Sequence, residues 1–425
     1  MNKQNKSTIE IVKTGLAKRR AKENRFKKMG LVAVLLGLSM LAILLVSIVS
    51  TGMPAFTQTV LKLDVTFESE LFPKQELTRE VLNQKVDLYG LVKKTLREKF
   101  PEVKSRRDKK ALYSLVSKGA SYQIRDMLID DHSLIGKTVS IWVLADDEVD
   151  SLIKGSKSAD DSKLNAKQQS WLKVFQKEVS VKTQFNWDFL SNGDSREPEQ
   201  SGIKGAMVGS LFVVLITIAL SFPIGVAAAI YLEEFAKPSR WNDFIEININ
   251  NLAAVPSIVF GLLGLAIYIN IMDMPRSAPL VAGLVLTLMT LPTIIIASRA
   301  ALKSVPSSLR EAALGLGASK MQMIFHHVLP QAMPGMLTGT IIGMAQALGE
   351  TAPLLMIGMV SFIVDIPQNI FDPATVLPVQ IYLWSDSPEQ AFLERTAAAI
   401  MILLAFLVVM NLTAVWLRKK FEKRW

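Results

Sequence analysis

Residues Ser307–Gln331 read SSLREAALGLGASKMQMIFHHVLPQ, and the rest of the chain is best understood outward from them. Glu311 stands three residues after Ser308, directly behind Pro306. That is the spacing of a capping box, in which each side chain satisfies the other's free backbone N–H. A short helix is predicted from there to Gly315 and Gly317, where glycine lets the chain turn. Ser319 is placed to cap a second short helix, expected to stop before Pro330. Apolar stretches flank the pair on both sides. A plain connector would be far shorter, since most loops run to about six residues.

Six stretches are apolar over the ~20 residues that a helix needs to cross a hydrocarbon layer about 30 Å thick. They are Gly30–Val49, Gly205–Leu232, Ile247–Met272, Ala278–Ser298, Met333–Val364 and Thr396–Leu417. The middle four contain Pro223, Pro256, Pro292 and Pro353. Membrane helices tolerate proline where neighbours re-satisfy the freed carbonyls, so these four are expected to be covered by protein rather than lipid. Gly261-Leu262-Leu263-Gly264 and Gly335-Met336-Leu337-Thr338-Gly339 supply small residues for close helix contact.

Half of the 425 residues are hydrophobic, cysteine is absent, and the net charge is +10. Without cysteine there is neither a disulfide framework nor a thiolate metal site. The positive excess sits at the ends. Met1–Lys28 holds ten Lys and Arg against two Glu, and Arg418–Trp425 holds five against Glu422. Basic runs beside apolar stretches mark cytoplasmic ends of a membrane protein, not a nucleic-acid arm. The first apolar stretch is too extended for a cleaved signal peptide and reads as a retained anchor. The boundaries that follow are a basic cytoplasmic terminus over 1–28, an anchor over 29–51 and an outside domain over 52–202. A transmembrane domain covers 203–417, with an inward loop over 299–332, and a basic tail covers 418–425. The inward loop carries Arg299, Lys303, Arg310 and Lys320 against Glu311 alone. Glu233–Glu246 should also lie inside, yet holds four acids and two bases, a local violation of the charge rule.

The segment Ser50–Lys204 is different material, polar and nearly charge-balanced. Leu61–Glu68 alternates strictly and reads as a strand, as does Val139–Val143, while Glu80–Phe100 and Ala166–Val179 have helical spacing. A small α+β domain on the periplasmic side is expected. Its lone His132 reads as an ordinary surface residue. Gly136-Lys137-Thr138 is no phosphate loop, because Asp131 stands where the upstream glycine belongs.

Glu311-Ala312-Ala313, Gly317 and Leu329-Pro330 resemble the EAA loop of binding-protein-dependent ABC importers. The likeness implies that this loop docks on an ATPase subunit and passes its motion to the membrane helices. The family favours an aliphatic residue two places before the Leu-Pro, where this chain has His327. Gly349-Glu350-Thr351-Ala352-Pro353-Leu354-Leu355 resembles the signature of the PstA family, one of the two permease subunits of phosphate ABC importers. Asn248–Gly264 and Phe222–Phe235 are similar to that family too, and the likeness covers roughly Gly193 to the C-terminus. It implies an all-α integral membrane protein with six transmembrane helices and a MetI-like permease core, in the bacterial inner membrane. The small α+β periplasmic domain lies between helices 1 and 2.

The implied partners are a second, PstC-like permease, a PstB-like ATPase dimer, a PstS-like phosphate-binding protein and membrane lipid, with no cofactor and no nucleic acid. The chain itself would be a transporter subunit and not an enzyme. An intramembrane carboxylate costs ~2.5–3.5 kcal/mol, so Glu350 asks for a reason. The family places an arginine four residues earlier, where Gln346 stands, so no arginine is available at that spacing. Glu350 as a direct ligand of an anion is disfavoured by repulsion. A gate or interface role, with Gln346, Thr351 and Pro353 beside it, and a purely structural acid both remain open. Arg299 is either an attractor for the departing anion or a snorkelling anchor. His326-His327 do not face one another on a helix, so no metal site is expected. The rival readings are a permease for sulfate or molybdate and a membrane-anchored periplasmic sensor.

Overall fold

The computed structural model describes residues 8–72, 81–82 and 86–421. Residues 1–7 of the basic N-terminus, part of the helix expected over Glu80–Phe100, and the tail residues Glu422–Trp425 lie outside the described residues. The chain divides into two units, residues 1–51 and 52–425. The described residues of the first lie in one long helix, α1 (Thr8–Gly52), whose apolar stretch is exposed almost throughout.

The second unit opens with a mixed segment. In chain order it runs β1 (Thr57–Thr66), α2 (Leu88–Lys99), α3 (Arg106–Tyr113), α4 (Ala120–Asp130), β2 (Thr138–Leu144) and α5 (Asp147–Lys154). Next come α6 (Ala166–Lys177), β3 (Val181–Phe185) and α7 (Trp187–Ser191). The strands form an antiparallel sheet in the order β2-β1-β3, with Leu63 opposite Ile141 and Thr59 opposite Thr183. Period-two alternation in β1 buries Leu61, Leu63 and Val65 while Lys62 and Asp64 face solvent. The buried side chains pack on Leu96, Leu112, Ile124, Leu128 and Phe175. The sequence reading missed β3, because a polar edge strand carries little periodicity. His132 caps its own helix end, with Nδ1 2.6 Å from the Leu128 carbonyl.

The remainder is helical: α8 (Lys204–Ile230), α9 (Arg240–Ala253), α10 (Ser257–Gly264), α11 (Pro279–Lys303), α12 (Ser307–Gly315) and α13 (Lys320–Met323). It ends with α14 (Leu329–Gly349), α15 (Ala352–Met356), α16 (Leu377–Ser385) and α17 (Gln390–Phe421). Among the described residues four helices are long and apolar enough to cross a membrane: α1, α8, α11 and α17. The pair α9 and α10 makes a fifth, bent by 101°.

Two expected spans are therefore not straight helices. Ile247–Met272 bends at Ala254–Pro256, because Pro256 restricts the residue before it to extended backbone. Met333–Val364 breaks at Glu350. The Pro353 ring conflicts with the carbonyl four residues back, on Gly349, and the helix ends there. Coverage of the prolines also differs from expectation. Pro292 and Pro353 are buried, whereas Pro223 and Pro256 are exposed.

The small residues do permit close approach. A Cβ on Gly335 would meet Ala301 at 2.7 Å, and one on Gly339 would overlap Ala297, so α14 lies directly on α11. Gly261 sits against Pro353 and Gly264 against Val285. α16 lies between the apolar stretches Met333–Val364 and Thr396–Leu417, with Leu377, Val379 and Trp384 buried. Nine residues are too few to register as a span.

Candidate functional site

The Ser307–Gln331 segment folds as two short helices, with one difference at the start. Pro306, at ψ 139°, is the last extended residue, and its carbonyl accepts the first turn's bond from Leu309 at 3.2 Å. The Ser308–Glu311 capping box is not formed, since the helix starts at Ser307 and both side chains are exposed. Ser319 does cap α13. Its Oγ accepts from the Gln322 amide at 3.2 Å, and the Gln322 side chain accepts from the Ser319 amide at 2.9 Å. Between the helices Gly317 adopts φ +85°, a left-handed conformation that suits glycine. The second helix does not stop before Pro330. A π-helical turn over Ile324–Val328 carries it into α14, and the wider turn accommodates a proline that has no N–H to donate.

One face of this hairpin is buried and the other is free. Ala313 packs among Ala229, Ile230, Leu302 and Val328, while Glu311 and Ala312 point out. Among the described residues no hydrogen bond or ion pair reaches the Glu311 carboxylate. At the tip Leu316 is 91% exposed, flanked by exposed Leu314 and Met321. His327 is exposed, and Leu329 and Pro330 are half-buried at the root of α14.

A charge clasp fixes the hairpin to the bundle. After α8 the chain makes a π-helical turn, Tyr231–Phe235, that presents Glu233 and Glu234. The Arg310 guanidinium donates to Glu234 at 2.8 and 3.1 Å. It also donates to the carbonyls of Val305 (2.6 Å) and Leu302 (2.8 Å), at the end of α11 and just beyond it. Arg299 forks onto both oxygens of Glu246, each at 3.0 Å, and its Nε lies 3.5 Å from Glu233. Lys303 adds a longer contact to Glu233 at 3.7 Å, and the Lys320 amine sits 5.0 Å above the Phe235 ring. Arg299 is thus engaged by two carboxylates. Sequence reasoning missed Glu233, Glu234, Glu246 and Arg310 as a group. Their signal was the acid excess in Glu233–Glu246, which offsets the bases of the neighbouring loop.

The second candidate region is the break in the α14–α15 segment. Glu350 has extended backbone (φ −77°, ψ 129°) and a half-buried side chain that no described residue engages. It lies at the end of α14 rather than midway along a helix, near the level at which Ala347 and Leu348 share a small cavity with Leu286. Gln346 is exposed one turn before it on α14, Thr351 is half-buried, and Pro353 packs on Gly261 of α10. Glu350 and Arg299 belong to opposite ends of the helical bundle, so the structure does not bring them together.

Residues 221–425, which contain both regions, match the family described as binding-protein-dependent transport system inner membrane component. Residues 13–163 match a domain of unknown function, DUF3333. The phosphate transport system permease protein PstA 1 of Mycobacterium tuberculosis (strain CDC 1551 / Oshkosh) is 33% identical over 233 residues, spanning 55% of this chain and 75% of that protein. The chain belongs to the PstA family of ABC permeases.

A probable ABC transporter permease, YqgI of Bacillus subtilis, is 29% identical over 257 residues, 57% of this chain and 86% of that one. PstA of Haemophilus influenzae is 29% identical over 225 residues, 53% and 78%. Among solved structures, the inward-facing MetNI methionine ABC transporter gives a TM-score of 0.41 at 18% identity, covering 51% of this chain and 95% of that one. As a PstA-family member this chain is a membrane-embedded, multi-pass permease subunit and not an enzyme. ATP hydrolysis belongs to a separate subunit, and a periplasmic binding protein delivers the substrate.

Proposed function

We propose that the chain forms part of the translocation path of a phosphate importer, together with a PstC-like permease, a PstB-like ATPase dimer and a PstS-like binding protein. The observation that carries the reading is the exposed tip of the clasped hairpin. Leu316 and the free Glu311 carboxylate stand on a small, rigid, half-buried element, as a docking knob requires. Ala313 lets the hairpin sit close to the bundle, Gly317 shapes its turn, and Leu329 and Pro330 join it to α14. Movement of the ATPase would then reach α8, α9 and α11 through Glu234, Glu246, Arg299 and Arg310.

In this reading the hairpin (299–332), residues 1–28 and the tail 418–425 are cytoplasmic. Residues 52–202 are a periplasmic domain behind the anchor 29–51. The segments α1, α8, α9–α10, α11, α14–α15 and α17 make six crossings, within 203–417 after the anchor. Paired acids explain the unusual charge of Glu233–Glu246, because they face the basic hairpin on the same side. Glu350, with Gln346, Thr351 and Pro353, is proposed as a gate or interface element facing the companion permease. Arg299 serves the clasp at the inner end of the path. The extended substrate class of related importers, sulfate or molybdate, is the second outcome of the same experiment.

The test is uptake of labelled phosphate in cells lacking the chain, complemented with wild type or Glu311→Arg. Expected is loss of uptake in the variant, which inserts normally but no longer co-purifies the ATPase. Undiminished phosphate uptake without the chain, or uptake of sulfate or molybdate instead, would refute the phosphate assignment.

A further inference from the structure

A cleft of about 540 Å³ opens between α2, α3 and the turn that follows α3. Its walls carry five cations: Lys93, Arg106, Lys109, Lys110 and Lys118. Only Lys118 has a carboxylate partner, Glu197 at 2.8 Å; among the described residues the other four have none. The one acid on α3, Asp108, is drawn away to Lys167 at 2.7 Å.

The arrangement costs the protein stability. Arg106, Lys109 and Lys110 sit at i, i+3 and i+4 of α3 and share a face, where like charges repel by a few tenths of a kcal/mol per pair. On the opposite wall the Lys93 amine lies 4.7 Å from the Tyr89 ring centre. That ring is locked in place by its hydroxyl, which donates to the carbonyls of Tyr113 (3.0 Å) and Val116 (3.2 Å). Lys93 is therefore held against a fixed ring, Lys109 is half-buried, and Arg106 and Lys110 are exposed on the same face of α3.

The acid on the cleft floor does not cancel them. Burial, then the neighbouring Asp147 and Glu199, push the Asp146 carboxyl up to about 8, so it is largely uncharged at neutral pH. Tyr89 is pushed up to about 12, chiefly by burial, and keeps its proton. What remains is a concave, positive site, in which the one other lining carboxylate, Glu197, is paired with Lys118. Its volume falls within the range of small-molecule sites, about 300–1,000 Å³, and exceeds what a single orthophosphate fills.

We propose that this cleft binds a phosphate-bearing anion larger than orthophosphate, through Lys93, Arg106, Lys109 and Lys110. A free oligophosphate or organic phosphate and a lipid headgroup share this chemistry. The inference does not rest on the transport reading, since the cleft is far in sequence from the hairpin and the charge match holds on either side of a membrane.

The test uses the full chain in nanodiscs of zwitterionic lipid, titrated calorimetrically with inorganic tripolyphosphate. Expected is saturable binding that weakens at least tenfold in Lys109→Gln/Lys110→Gln, with a melting temperature no lower than that of wild type. The control Lys182→Gln, on β3 and outside the cleft, should bind as wild type. Phosphatidylglycerol in the discs that competes with tripolyphosphate in wild type would assign the site to a headgroup, and absence of competition to a soluble phosphate. Binding that survives the double substitution, that Lys182→Gln weakens equally, or that sulfate matches at equal ionic strength would overturn the proposal.

Discussion

Two charged clusters in the second unit solve the same problem in opposite ways. In the clasp three bases, Arg299, Lys303 and Arg310, meet three acids, Glu233, Glu234 and Glu246. In the segment before α8, Asp146, Asp147 and Glu199 lie together, and Glu199 and Asp147 face a buried base of α17, Arg395, whose Nε donates to the Ser201 carbonyl at 3.1 Å. In the clasp each acid has a base within ion-pair distance. Among the surplus acids burial raises the pKa values of all three. The coupling role proposed for the hairpin needs the first arrangement. The second makes its neighbourhood answer to pH.

The comparison breaks most sharply at Arg310. Arg310→Ala leaves Glu234, whose side chain is 6% exposed, without a counter-ion and removes the bonds to the Val305 and Leu302 carbonyls. A loss of about 4 kcal/mol is expected in denaturant unfolding, since breaking a buried pair from one side is costly. Uptake should fall more than tenfold. A loss below about 1 kcal/mol would remove the clasp from the account.

The next largest effect has the opposite sign. Folded Asp146 has a raised pKa, so folding takes up a proton, and this stabilisation is complete below about pH 4 and lost as pH rises to about 8. Asp146→Asn keeps the cap on the Glu148 amide. It should stabilise the chain by roughly 3 kcal/mol at pH 9 and by nothing at pH 4. Melting curves at the two pH values decide this, and an equal change at both would contradict it.

Two smaller changes sharpen the contrast within the clasp. Arg299→Lys keeps the charge but loses the fork onto Glu246, for which about 1–2 kcal/mol is expected. Lys303, more than half exposed and 3.7 Å from Glu233, should be worth less than about 0.5 kcal/mol when replaced by Gln. If the two substitutions cost the same, planar geometry is not what holds the clasp.

Much of this architecture was legible before any coordinate. Long apolar runs located α1, α8, α11 and α17, because hydrophobic length is a property of contiguous residues. Ser319 and Gly317 announced the hairpin for the same reason, since caps and turns are local. The interruptions were harder. Pro353 was visible, but whether a proline kinks or ends a helix depends on what can pack into the break, here Gly261 of α10. The clasp was legible only as an anomaly, an acidic loop where the charge rule asks for bases. Its partners are brought together by packing across more than 50 residues of sequence, which no local pattern encodes.

Leu316 carries a consequence beyond its own contacts. A leucine that is 91% exposed, beside exposed Leu314 and Met321, is tolerable only while something covers it. If the proposed docking holds, a chain synthesised in excess of its ATPase displays the kind of surface that chaperones bind and proteases sample. The abundance of this subunit in the cell should follow the supply of its partner, so that assembly stoichiometry is set by the lifetime of unassembled chains rather than by how fast each is made.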